Sequence, residues 1–477
     1  MDRYNDDIVE NKSSPGKRII DAVSNIFLLL GTCYSIVLII DQSIVSTYIS
    51  MKVYGLLGIV LLVKVFSSKK ITNLGPAQIL ILYTVASSLG YDILVFFLGE
   101  EMYSQIASLR HSYMEYFNFA NAVYYLGIVA MIYGMMTIKK TNDKNPEELK
   151  EYLSVSDLKR DLYMKIAFAT VSIYAVIIIF SVITGRLPLT NYGEVRDWFA
   201  TQPLLSYLLR LTWVMIPTYF YFAEKKTEYI KFCIPVGFMF IILMITGNRN
   251  EILYPLAIAV GVFVWKRYHL EGKKTLPKYV TIGSLLIVFV LNPLISSTRQ
   301  SGLNVQTLLS GSFGFKDAFL ELGQQLNPFS IILSAMDDGI TSFRYGMTYI
   351  VPSISLLSLN LVFGTSYYLT SMKYNPTVVL NSLGHYGRGF SYIAELYMNF
   401  GTIGVLLCMF LLGRYMGKCE NATFRNNKLL FYFQIMPFFM IISRNICGFS
   451  IVTIIFAVIL NMVVGTMSIR MKKGRLI

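Results

Sequence analysis

Residues 347–363 read Met-Thr-Tyr-Ile-Val-Pro-Ser-Ile-Ser-Leu-Leu-Ser-Leu-Asn-Leu-Val-Phe, a run apolar enough to be counted as a membrane span. How it is counted decides the topology of everything after it. It contains Pro352 and the serines Ser353, Ser355 and Ser358, with Ser366 beside it. Read as a span, it would place the basic segment Arg414–Lys428 and the basic tail on the side where other connections are poor in Lys and Arg. That breaks the rule that cytoplasmic connections hold the excess of Lys and Arg. The segment is therefore expected to lie in the interface or to re-enter it, with Pro352 opening its helix, where a missing N–H costs least.

Around this segment lies a polar stretch, Ile295 to Arg388, that carries Arg299, Lys316, Asp317, Glu321, Asp337, Asp338, Arg344, Lys373, His385 and Arg388. On both sides the chain is a succession of apolar runs. Hydrophobic residues are 55% and charged residues 15% of the 477, against a usual charged share of about 25% in soluble domains. Spans are expected at Ile20–Ile40, Ile44–Phe66, Pro76–Leu98, Phe117–Ile138, Leu162–Ile183, Leu204–Ala223, Ile230–Thr246, Ile252–Trp265, Tyr279–Leu294, Gly389–Gly413, Leu429–Ser443 and Phe449–Ile469. The fold class is an all-α polytopic membrane protein of about 12 helices, since lipid satisfies no bare peptide group. Three regions follow: 1–294 with nine spans, the external loop 295–388 with short or re-entrant helices, and 389–477 with three spans and a tail. The polar segment Met1–Arg18 leads into the first span with no signal-peptide pattern.

Lys and Arg assign the sides. Arg3/Lys12/Lys17/Arg18, Lys69/Lys70, Lys139–Arg160, Lys225/Lys226, Lys266–Lys278, Arg414–Lys428 and Arg470–Arg475 alternate with connections such as Gly99-Glu100-Glu101. Both termini are expected in the cytoplasm and the large loop outside. The net charge of +14 is explained by these connections. It does not call for a nucleic-acid partner, because no soluble basic domain exists to hold one. The five cysteines lie outside the external loops, so no disulfide framework is implied. No CxxC, HExxH, P-loop or GxGxxG motif is present, and no cofactor or metal is expected.

Ionisable groups beside spans are costly and tend to be functional or paired. Three arginines sit where spans surface outward: Arg249 in Gly247-Asn248-Arg249-Asn250-Glu251, Arg299 in Ser297-Thr298-Arg299-Gln300, and Arg444 in Ser443-Arg444-Asn445. Arg186, Arg196, Arg344 and Arg388 fall on the same side. Guanidinium groups bind phosphate bidentately and stay charged at any working pH, which suits a lipid-linked diphosphate. Anchoring to lipid headgroups is the alternative reading of each. The segment Gly384-His385-Tyr386-Gly387-Arg388-Gly389-Phe390-Ser391 is a glycine-punctuated turn, followed by a helix with Ser391 and Glu395 on one face. His385 and Glu395 are the candidate general bases, against readings as a solvated histidine and a structural partner of Arg388. Tyr386, Tyr392 and Tyr397 are placed to stack on sugars or to anchor a helix end.

Three local patterns resemble the Wzy-type oligosaccharide repeat-unit polymerases of O-antigen and capsule synthesis: Gly247-Asn248-Arg249-Asn250-Glu251, Ser297-Thr298-Arg299-Gln300, and Gly389-Phe390-Ser391 through Glu395 to Gly401. The likeness covers roughly Arg186 to Asn445. Some members carry an Arg followed by ten residues and a Gly; here the glycine after Arg299 is Gly311, one position late.

The resemblance implies a GT-C-like membrane glycosyltransferase without metal or nucleotide sugar. Its substrates would be glycans on polyprenyl diphosphate at the outer face of the bacterial plasma membrane. The growing chain would pass from its carrier to the non-reducing end of a new repeat unit. Membrane lipids and a chain-length regulator are the implied partners. Arg249, Arg299 and Arg444 would hold the diphosphate, with Arg196, Arg344 and Tyr386 also binding substrate. His385 or Glu395 would take the acceptor proton, and Arg388 would orient Glu395 or bind a second diphosphate. A lipid-linked oligosaccharide flippase and an O-antigen ligase share this architecture. Against a transporter stand unlike halves and few polar groups in span centres, Arg210 being the main one.

Overall fold

The computed structural model describes residues 15–68, 72–138, 156–188, 192–272, 315–354, 374–385, 389–421 and 426–474. Among them there is no strand. The first nine helices are α1 (Pro15–Ile40), α2 (Thr47–Ser67), α3 (Pro76–Arg110), α4 (Phe117–Met136), α5 (Asp157–Ile183), α6 (Tyr192–Thr201), α7 (Pro203–Phe222), α8 (Lys226–Ile245) and α9 (Asn250–His269). The large loop contributes α10 (Phe315–Leu322), α11 (Leu326–Asp337), α12 (Met347–Ile354) and α13 (Pro376–Ser382). The chain ends with α14 (Tyr392–Glu420), α15 (Asn426–Ile442), α16 (Cys447–Ser450) and α17 (Val452–Gly474).

Every expected span falls on one of these helices except Tyr279–Leu294, which lies outside the described residues. Among the described residues, eight helices are long and apolar enough to cross a membrane, and Asn427–Ile442 is a shorter apolar one. The expected span Ile252–Trp265 is part of a 20-residue helix, Asn250–His269, which is not one of these eight. Apolar side chains that face away from the bundle, such as Leu29, Phe180, Ile183, Ile234 and Phe238, are exposed, as a lipid-facing surface requires.

Two long helices break where glycine takes a left-handed backbone. Gly99 (φ 70°) divides α3, and Gly401 (φ 65°) divides α14. The break in α14 leaves a short first segment, Tyr392 to Phe400, at the loop end. Glycines also let backbones meet: a Cβ on Gly413 of α14 would collide with the Met131 carbonyl of α4, and one on Gly134 of α4 with the Phe410 carbonyl. Small residues that admit close backbone approach are how apolar helices associate in lipid.

Described residues that flank several of the Lys- and Arg-rich connections bond one another at one end of the bundle. Lys64 pairs with Asp21, Thr72 bonds His269 at 3.0 Å, and Arg160 pairs with Glu228 at 3.2 Å. Glu420 accepts from the Ala77 N–H at 3.1 Å and the Tyr432 hydroxyl at 3.0 Å, so it caps α3. At the opposite end Asn118 donates to the Gln42 and Val45 carbonyls at 2.9 and 2.8 Å.

Two expectations need correction. Pro352 does not open its helix: α12 begins at Met347, and Pro352 lies inside it. The residue four back, Thr348, keeps a carbonyl that Pro352 cannot bond, and Gly448 of α16 packs against both. The described part of α12 is 8 residues long, about 12 Å, and residues 355–363 of the expected segment lie outside the described residues. Second, polar groups inside the bundle are not few. Tyr163, Asn461, Gln434 and Thr218 form one hydrogen-bonded chain across α5, α17, α15 and α7. Asn121 of α4 also donates to the buried Asp92 of α3 at 2.7 Å.

Candidate functional site

At the loop end, the turn between α8 and α9 uses Gly247 at φ 76°. Arg249 follows as the N-cap residue just before α9, and its side chain is fully buried. It forms an ion pair with Glu321 of α10. Arg444, in the connection after α15, places Nη1 4.0 Å from the same Glu321 Oε1. Two residues beyond Arg249 on α9, Glu251 pairs with Arg210 of α7 at 3.4 Å. The Arg210 guanidinium lies 3.8 Å from the Trp213 ring centre. Charges of alternating sign thus run from α7 through α9 and α10 to the end of α15. Tyr83 and Tyr254 bond each other at 2.7 Å and lie against Arg444.

Glu321 is held by glycine contacts. The turn after α10 presses Gly323 onto Gly90 and Tyr91 of α3, so closely that a Cβ on Gly323 would lie 2.6 Å from the Tyr91 nitrogen. The turn before α14 reaches the same place, since a Cβ on Gly389 would collide with the Arg444 carbonyl. The sequence pattern found both arginines but gave Glu321 no role; a carboxylate in a polar loop reads as solvated until its neighbours are known.

Glu395 has different company. It is fully buried on the short first segment of α14. Its Oε1 accepts from the Thr348 hydroxyl of α12 and its Oε2 from the Cys447 N–H that starts α16, both at 2.8 Å. Asn399, one turn on, donates to Thr348 Oγ1 at 2.6 Å and accepts from the Gly346 N–H at 2.8 Å. Ser391 caps α14, its oxygen accepting from Ala394, and bonds the Tyr124 hydroxyl at 2.8 Å. Burial raises the Cys447 thiol pKa, and the nearby Glu395 adds to the effect.

His385 bonds the Tyr113 hydroxyl at 2.7 Å and stacks edge-on against that ring. Tyr113 belongs to the 3-10 helix His111–Tyr116 between α3 and α4, so His111 shares this end. Four peptide steps of at most about 3.6 Å each keep the His385 backbone within about 14 Å of Gly389, which touches Arg444. Arg344 donates to Thr341 Oγ1 at 2.8 Å and faces Tyr374, while its backbone N–H bonds the Met398 carbonyl. Arg196 lies in α6. Arg299, Tyr386 and Arg388 lie outside the described residues.

A family model described as "O-antigen polysaccharide polymerase Wzy" matches residues 22–474. The chain belongs to that family. Protein CapE of Staphylococcus aureus is 26% identical over 232 residues, which are 48% of this chain and 49% of CapE. The chain therefore matches about half the length of that curated relative. No solved structure matches the chain. The family match spans all three regions of the polymerase homologue, including the first helices, where the sequence patterns gave no likeness.

Proposed function

We propose that this Wzy-family protein joins glycan repeat units carried on polyprenyl diphosphate, working at the outer face of the plasma membrane as a metal-independent glycosyltransferase of GT-C type. The observation that carries this reading is the pair of arginines, Arg249 and Arg444, that converge on one carboxylate at the loop end. A guanidinium pair that accepts a carboxylate has the charge and donor geometry to accept a diphosphate.

In the proposed step an acceptor sugar hydroxyl attacks the anomeric carbon of the donor chain. The bond from that carbon to the diphosphate oxygen breaks, and its electron pair leaves with polyprenyl diphosphate. Arg249 and Arg444 stabilise the charge that develops there, with Arg299 assigned to the same diphosphate by resemblance and Arg388 to orienting Glu395 or binding a second diphosphate. The acceptor proton goes to His385, whose ring Tyr113 holds. Glu395, with both oxygens engaged inside the bundle, supports the site by holding α12 and α16 rather than by taking a proton. Cytoplasmic termini, Lys/Arg-rich inner connections and a chain-length regulator as partner belong to the same reading.

Product analysis in a deletion strain complemented with Arg249→Ala tests it. The expected outcome is loss of long polymer with single repeat units retained. Accumulated carrier-bound polymer would instead indicate a ligase, and repeat units stranded inside the cell a flippase. Full-length polymer from Arg249→Ala would sink the scheme.

A further inference from the structure

We infer that Glu321 is an internal counter-anion that occupies the arginine pair when the site is empty and gives way to the substrate diphosphate; this rests on the reading of Arg249 and Arg444 given above. Glu321 is not part of the bundle wall. It sits on the loop helix α10, and its carboxylate reaches between two arginines from elsewhere in the fold. Glu321 Oε1 meets both guanidinium groups, while Oε2 is buried with no hydrogen bond among the described residues. A carboxylate with half its acceptor capacity unused is a weak occupant of a site that has several donors. A diphosphate offers more oxygens and more charge to the same donors.

The backbone of α10 need not move for the exchange. Its end is fixed on α3 by the Gly323–Gly90 contact, so rotation of the Glu321 side chain is enough. The arrangement has a purpose in turnover. Buried guanidinium groups left without an anion are strongly unfavourable, and a site that had no internal anion would release polyprenyl diphosphate slowly. Glu321 returns as the product leaves. It lowers affinity for the diphosphate and raises the rate of release.

The experiment uses the full chain in detergent, with farnesyl diphosphate and inorganic pyrophosphate as probes. Glu321→Gln keeps the volume and removes the competing charge. Both probes are expected to bind it about tenfold more tightly than wild type, the scale of one charge-assisted hydrogen bond. The same variant is expected to unfold at a lower temperature than wild type without probe and to recover the difference with pyrophosphate. In polymer synthesis its kcat and KM both fall, because release becomes slow. Glu321→Asp, with a shorter reach, is expected to bind between the two. Equal or weaker probe binding by both variants overturns the inference and leaves the arginine site standing. Absence of probe binding by wild type and variants alike overturns the arginine site itself, and this inference with it.

Discussion

Two buried carboxylates at the loop end, Glu395 and Glu321, show how little burial alone says about a role. Glu395 is surrounded by neutral donors, a hydroxyl and a backbone N–H, and each of its oxygens is bonded. It joins α14, α12 and α16. Glu321 meets two guanidinium groups through one oxygen and has the other unbonded among the described residues. The first region links three helices through neutral donors. The second is a cluster of strong donors around a replaceable anion.

Glu395→Leu is the strongest way to break this contrast. It leaves the Thr348 hydroxyl and the Cys447 N–H buried without an acceptor, at a cost of about 3 kcal/mol. Thermal unfolding of the purified protein should show a clear loss of stability, together with reduced yield. A stable Glu395→Leu protein that has lost only polymer synthesis would return Glu395 to the role of base. Arg444→Lys probes the other region. It keeps the charge and loses the fork of donors, so polymer formation should fall about tenfold or more while the unfolding temperature barely changes. If stability falls as far as for Glu395→Leu, Arg444 is a structural ion-pair partner. Thr348→Val should be the mildest, removing one bond to Glu395 and one from Asn399 for about 1–2 kcal/mol. Polymer length should be unchanged at permissive temperature; shortened polymer would connect α12 directly to the substrate.

The membrane helices were legible in the sequence because an apolar run of span length is a local property. Asp157–Ile183 and Val452–Met471 needed nothing but composition. The break at Gly401 was not legible, since a glycine inside an apolar run looks like packing until its φ is known. Arg249 and Arg444 were picked out by charge at the edges of spans. Their meeting point was not, because Glu321 belongs to a loop helix whose docking depends on Gly90 and Gly323 touching. Glu395 was visible as a carboxylate in a first helical turn. Its bonds to Thr348 and Cys447 join residues 47 and 52 apart, and no periodicity carries such information.

The carboxylate at the far end of α14 has a consequence for how the protein is made. Glu420 caps α3 through Ala77, a residue 343 positions earlier in the chain. A ribosome that feeds these helices into the membrane in order delivers α3 long before its cap exists. The start of α3 must therefore rely on water, lipid headgroups or an insertion factor until α14 arrives. Arrival of α14 then secures α3 through Glu420 and, through Glu395, receives α16 as it emerges. A chain that stops before α14 keeps an uncapped α3, a defect by which membrane quality control can tell unfinished protein from finished.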